Sequence, residues 1–113
     1  MMKHFVNEEQ RKKSGSTCYL EFQQGYYHDV CWLNTSISLS AELWDHYGMS
    51  KLLRDVIPNF DFYEITVVTR AQWEELVKKS QEEIYSCKEI IAEAAPWAFE
   101  CFEEHPVFSI IGM

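Results

Sequence analysis

Reactive side chains are few in this chain, and one short stretch concentrates them. His28, Asp29 and Cys31 stand within residues 28–31, and Cys18 lies opposite them if the QQG ahead of them turns the chain. A histidine oriented by a carboxylate can deprotonate a cysteine, and the resulting thiolate is a nucleophile. The spacing argues against that assembly. Neighbours on a strand point to opposite faces, so His28 does not pair with Asp29, nor with Cys31. The plainer expectation places Cys18 and Cys31 in the core and His28 and Asp29 near the end of a hairpin. Other catalytic signatures do not occur. Gly15, Gly25, Gly48 and Gly112 do not cluster into a phosphate-cradling loop. There is no G-x-S-x-G elbow, no H-E-x-x-H helix and no C-x-x-C pair. The expectation is a protein that is not an enzyme and carries neither cofactor nor metal.

A second group of residues suits a different chemistry, the recognition of positive charge. The stretch EEIYSCKEIIAEAAPWAFECFEEHP, residues 82–106, holds seven glutamates and one lysine. Glu82, Glu83, Glu89, Glu93, Glu100, Glu103 and Glu104 face only Lys88, with the aromatics Tyr85, Trp97, Phe99 and Phe102 among them. Any one glutamate is explained by helix propensity and solvation. As a group they repel one another, which costs stability unless a cationic partner offsets it. Such a partner would also be steered in quickly. A second aromatic run, Tyr26, Tyr27 and Trp32, divides between core and interface. Tyr26, Tyr27 and Asp29 form the alternative contact region.

The composition supports this direction. The 113 residues are 47% hydrophobic, 15% aromatic and 25% charged, which is a folded composition sized for a single domain. The formal net charge is -8. Such a chain is repelled by phosphate backbones and anionic lipid, so a basic protein is the expected partner, with no direct nucleic acid and no membrane. No segment approaches the roughly 20 apolar residues of a bilayer span. The opening MMKHFVNEEQRKK lacks an apolar signal core, which predicts a cytoplasmic location. In that reducing compartment the four cysteines are expected to be free.

The elements that must position these residues read as follows. Residues 1–15 are a short helix or loose arm with a basic patch at Arg11, Lys12 and Lys13. TCYLEFQ alternates, with Cys18, Leu20 and Phe22 on one face and Tyr19, Glu21 and Gln23 on the other, as in a half-buried strand. YYHDVCWLN returns as its hairpin partner. SLSAELWDHYGMSKLLRDVIPNF is helical, capped by Ser40 or Ser38 and broken at Gly48, with Ser50 capping the second piece. FYEITVV is a third strand. Thr69 and Gln72 form a capping box that opens one long helix over residues 70–95. Its buried stripe is Trp73, Val77, Ser80, Ile84, Cys87, Ile91 and Ala94. Glu74 with Lys78 and Glu75 with Lys79 are spaced to pair along it. Pro96 kinks that helix or starts another, and VFSIIGM is the last strand. The fold class is α+β, a mostly antiparallel sheet of about four strands with helices packed on one face and the other face partly solvated.

Three segments, STCYLEFQ, FYEITVVTRAQWEELVKKS and HPVFSIIGM, in a small acidic α+β chain without a catalytic motif, resemble bacterial immunity proteins of contact-dependent inhibition and other polymorphic toxin systems. That resemblance implies a cytoplasmic antitoxin that binds a cognate toxin tightly. Many such toxins are basic nucleases, and the acidic surface would then stand in for a phosphate backbone. The competing expectation is a small regulatory or adaptor domain with micromolar, reversible binding.

Overall fold

The computed structural model describes residues 2–113 and shows an α+β fold. In chain order the elements are α1 Glu8–Ser14, β1 Tyr19–Gln24, β2 Ile37–Ser40, α2 Ala41–His46, α3 Met49–Val56, β3 Ile65–Thr69, α4 Arg70–Ser80, α5 Lys88–Glu104 and β4 Val107–Ile111. The four strands form one antiparallel sheet in the order β2-β1-β4-β3. The two central strands are therefore the first and the last in sequence, so the sheet closes only when β4 inserts between β1 and β3.

One face of the sheet carries the core. Leu20 and Phe22 of β1, Phe108 and Ile110 of β4 and Val68 of β3 meet Trp44, Leu52, Leu53, Trp73, Leu76, Ile90, Ile91 and Ala98 from the helices. At its centre Phe22 stacks on Phe108 with ring centroids 5.5 Å apart. Phe5, Trp44 and Trp97 pack edge-on against Phe22, while Trp73 and Trp97 pack edge-on against Phe108. Such edge and offset arrangements suit the ring quadrupoles.

The broken helix expected over residues 38–60 is present from Ala41 to Val56, while residues 38–40 belong to β2. Ser40 caps α2 through its hydroxyl, which accepts from the Leu43 N–H at 3.1 Å. Gly48, at φ +63°, separates α2 from α3. Ser50 does not cap; its hydroxyl accepts from Trp44 Nε1 at 2.9 Å. Thr69 and Gln72 form the expected capping box of α4. Glu74 pairs back to Arg70 at 3.6 Å rather than forward to Lys78.

Two expected elements are different. The chain does not form one helix over residues 70–95. A continuous helix of that span would be about 39 Å long, more than the 35 Å longest dimension of the whole molecule. The chain breaks at residues 81–87 and folds α5 back beside α4. Tyr85 holds the break: it is buried, and its hydroxyl donates to Asp55 Oδ2 at 2.6 Å. Ile84, expected in the buried stripe, is instead 68% exposed. Pro96 neither ends α5 nor starts another helix. It lies on the exposed side, where the Ala92 carbonyl that loses its helical donor can turn to water.

The second difference is the partner of β1. Residues 26–34 are not a strand. Positive φ at Gly25, Asp29 and Trp32 bends the chain repeatedly, and extended pairing requires negative φ. The strand is the next segment, Ile37–Ser40, registered with Phe22 opposite Ile37 and Tyr19 opposite Ser40. Cys18 and Cys31 are accordingly exposed, not core; the buried cysteines are Cys87 and Cys101, and all four are free. The N-terminal segment covers the outer edge of β2 by pairing Val6 with Ser38, with bonds of 2.9 and 2.8 Å.

Truncating Phe108 to alanine removes the ring on which Phe22, Trp73, Trp97 and Phe102 converge. The expected loss is about 3–5 kcal/mol, measured by urea denaturation. A loss below about 1 kcal/mol would show that the cluster does not hold the layers together.

Candidate functional site

Nine of the ten expected contact residues fall into three groups, and Glu93 stands apart. Glu82 and Glu83 are exposed on the α4–α5 connection, and Glu89 is exposed in the first turn of α5. Glu100, Glu103 and Glu104 are exposed in the last turns of α5, about 17–23 Å further along the helix. Tyr26, Tyr27 and Asp29 lie on the connection between β1 and β2, with Tyr26 and Asp29 exposed and Tyr27 half-buried.

Glu93 belongs to none of these, because its carboxylate is turned inward. It accepts from the backbone N–H groups of Lys3 at 3.0 Å, His4 at 2.8 Å and Phe5 at 2.6 Å, and meets His4 Nδ1 at 3.1 Å. Three consecutive amides thus converge on one carboxylate, and the N-terminal segment is fastened to α5 by them. Burial alone would raise the Glu93 pKa, but the bonds from Phe5, His4 and Lys3 outweigh it and hold the carboxyl below its usual value.

The connection over residues 26–36 is pinned by two side chains of β1 that sequence reasoning assigned to a partly solvated face. Gln23 Nε2 donates to the Val30 carbonyl at 2.8 Å, and Gln23 Oε1 accepts from the His28 N–H at 3.2 Å. Glu21 accepts from the N–H groups of Trp32 and Leu33, both at 2.9 Å, and from the Ser36 hydroxyl at 2.6 Å. Glu21 and Gln23 are consequently buried. Above them Arg11 lies 4.1 Å from the centre of the Trp32 ring and is bonded to Glu8 at 2.6 Å. Arg11 is therefore not part of a free basic patch. The sheet's second face is covered over β1 and open over β3.

This anchoring brings two expected groups to one end of the molecule. The Gly25 N–H donates to the Val107 carbonyl at 3.0 Å, and Ser109 Oγ donates to the Gly25 carbonyl at 2.8 Å. The His105 ring lies against Gly25, with Nδ1 3.0 Å from where a Cβ would stand. Tyr26 thus leaves the sheet beside the C-terminal end of α5, where Glu103 and Glu104 sit. Glu82, Glu83 and Glu89 occupy the opposite end of the helix.

Phe99, which the sequence offered only as one aromatic among four, is 65% exposed on α5. It borders a cleft of about 230 Å³ between α4 and α5, lined also by Arg70, Trp73, Glu74, Ala95 and Phe102. The signal that marks it is helical phase: Phe99 falls outside the buried positions Ile90, Ile91, Ala94, Ala98 and Cys101.

His28 and Cys31 are each engaged with a partner other than one another. His28 Nε2 contacts the Gln24 carbonyl at 2.9 Å, and Cys31 Sγ lies 3.9 Å from the Tyr27 hydroxyl. Among the described residues no group of three or more His, Cys, Asp or Glu side chains is arranged to hold a metal ion. Among the described residues no helix is long and apolar enough to cross a membrane. Compared with protein-family models, curated proteins and solved structures, the chain matches none of them.

Removing the Glu93 carboxylate tests the N-terminal clamp. Glu93→Ala leaves three amides without their acceptor, for an expected loss of about 1–3 kcal/mol at pH 7. A carboxyl held below its unfolded value stabilises the fold above that value, about pH 4.3, and loses its contribution as pH falls through the folded value. Urea titrations at pH 7 and in mild acid should therefore show the variant's deficit shrinking in acid. A deficit that stays constant would contradict a stabilising ionised Glu93.

Proposed function

We propose that this chain is an inhibitor that works by protein binding, an immunity protein that neutralises a basic toxin domain, of the nuclease kind, in the cytoplasm. The observation that carries the reading is the end of α5. Glu100, Glu103 and Glu104 are exposed where the helix macrodipole is already negative, and no basic residue occupies the last turn. That arrangement works against the helix and in favour of a cationic ligand.

Phe99 stands on the same stretch of α5, and Tyr26 follows Gly25, which lies against His105 just past the helix; both aromatics are largely exposed. Aromatic anchors within a charged surround are the usual composition of a protein-binding hot spot. Tyr26 is carried on a loop fastened by Gln23 and Glu21, so little conformational freedom is lost there on binding. Long-range attraction from the acidic end would speed encounter, and the aromatic pair would slow release. Glu82, Glu83 and Glu89 extend the same field toward the far end of α5.

The first test is growth. The C-terminal domain encoded by the adjoining reading frame is expressed in a susceptible cell, with and without this protein. Rescue of growth supports the reading, and killing that this protein does not relieve removes it. The surface has its own test. Reversing Glu100, Glu103 and Glu104 to lysine should slow association with the toxin domain at least tenfold at low salt. The same triple variant should melt at a higher temperature than the native chain, because cations suit a helix C-terminus. Weaker binding with a firmer fold separates this surface from a merely structural helix end. Unchanged association would move the contact to another face.

A further inference from the structure

The two edges of the sheet are treated differently. The outer edge of β2 is covered by the Val6–Ser38 pairing. The outer edge of β3 has no such cover. Gly112 N–H donates to the Glu64 carbonyl at 3.1 Å, so Glu64 faces β4. Antiparallel alternation then points the N–H and C=O groups of Ile65 and Val67 away from the sheet. The far end agrees: the Thr69 N–H is bonded to the Gln72 side chain and not to β4. Among the described residues no hydrogen bond outside the ladder engages the backbone of Ile65 or Val67.

Edge strands usually carry a lysine, a proline or a bulge that prevents further pairing. The sequence of β3, ITVVT, has none of these. Its exposed side chains are apolar instead. Tyr63, Ile65, Val67 and Met113 are four of the eight large hydrophobic side chains left exposed. The register opposes Ile65 to Ile111, so these residues share one patch on the open side of the sheet.

We propose that β3 pairs antiparallel with β3 of a second copy of this chain, joining two sheets into one of eight strands. The charges flanking the strand select a second copy over another partner. With Ile65 opposite Val67 of the other copy, each of these residues exchanges two backbone hydrogen bonds, and two apolar Ile–Val pairs form on the open face. Thr69 is left out of the ladder, as its capping role requires. In this register Glu64 lies opposite Val68 of the other copy, two residues before the Arg70 that opens its α4, and the two long side chains can meet. Both are exposed, and the twofold axis makes the pair twice. The strand is thus complementary to itself in hydrogen bonding, in apolar surface and in charge. The proposal is independent of any toxin partner.

Sedimentation velocity over about 10 µM to about 1 mM tests it. The mass should rise from 13.4 kDa toward twice that value with concentration. Val67→Pro removes an outward-facing N–H that β4 does not use, and proline is tolerated on such an edge. That variant should remain monomeric while keeping its circular dichroism spectrum. Glu64→Arg and Arg70→Glu should each loosen the dimer about tenfold, and the double variant should restore it. A native chain that stays monomeric throughout overturns the proposal. So does a dimer that is indifferent to the charge exchange, whether or not the proline variant folds.

Discussion

The contact on which the structure depends is the stack of Phe22 on Phe108. These residues belong to the first and last strands, which occupy the centre of the sheet. Every layer reaches them: Phe5 from the N-terminal segment, Trp44 from α2, Trp73 from α4, and Trp97 and Phe102 from α5. Their partners lie far apart along the chain, so the core cannot form piecemeal. Pairing β1 with β4 closes a loop of more than eighty residues, and the entropy of that closure is opposed by aromatic burial.

Inward-turned carboxylates do the work at the periphery that aromatics do at the centre. Glu21 and Glu93 each gather backbone N–H groups from a segment without regular structure of its own, and each converts that segment into a fixed part of the molecule. An ionised acceptor forms stronger bonds to amides than a neutral one. Two glutamates of an acidic protein are therefore structural, and the remaining acidic surface must be judged without them. The sequence offers no distinction between Glu93 and Glu89, since both lie outside the apolar stripe.

Local rules made much of the fold legible in advance. The capping residues Ser40, Thr69 and Gln72, the break at Gly48 and the alternation through Leu20 and Phe22 depend on near neighbours, and all were readable. The failures share one cause. A stripe through Ser80, Ile84 and Cys87 is compatible with one helix, and only the size of the core forces the turn that buries Tyr85 and exposes Ile84. The aromatic residues 26–34 have strand propensity, but the hydrogen bonds offered by Glu21 and Gln23 overrule it. Of the candidate site, the sequence marked the acidic residues and Tyr26. It did not place Tyr26 beside the end of α5, because that neighbourhood is set by the pairing of β1 with a strand more than eighty residues away.

Helix α5 carries these demands together. Its inner side, from Ile90 to Cys101, is fixed by the core, and Glu93 is fixed by the N-terminal segment. The outer positions near its C-terminus are exposed and outside both of these constraints. Helix physics favours lysine or arginine there, and the chain has Glu100, Glu103 and Glu104. A local preference contradicted at exposed positions, with no internal partner to compensate, is the pattern expected where a surface answers to something outside the molecule. The same logic applies to β3, where protective charge is missing from an edge that has nothing to cover it. The two exceptions to good local design lie on different elements, and the two proposals assign them different partners, a cationic protein for the one and an identical strand for the other.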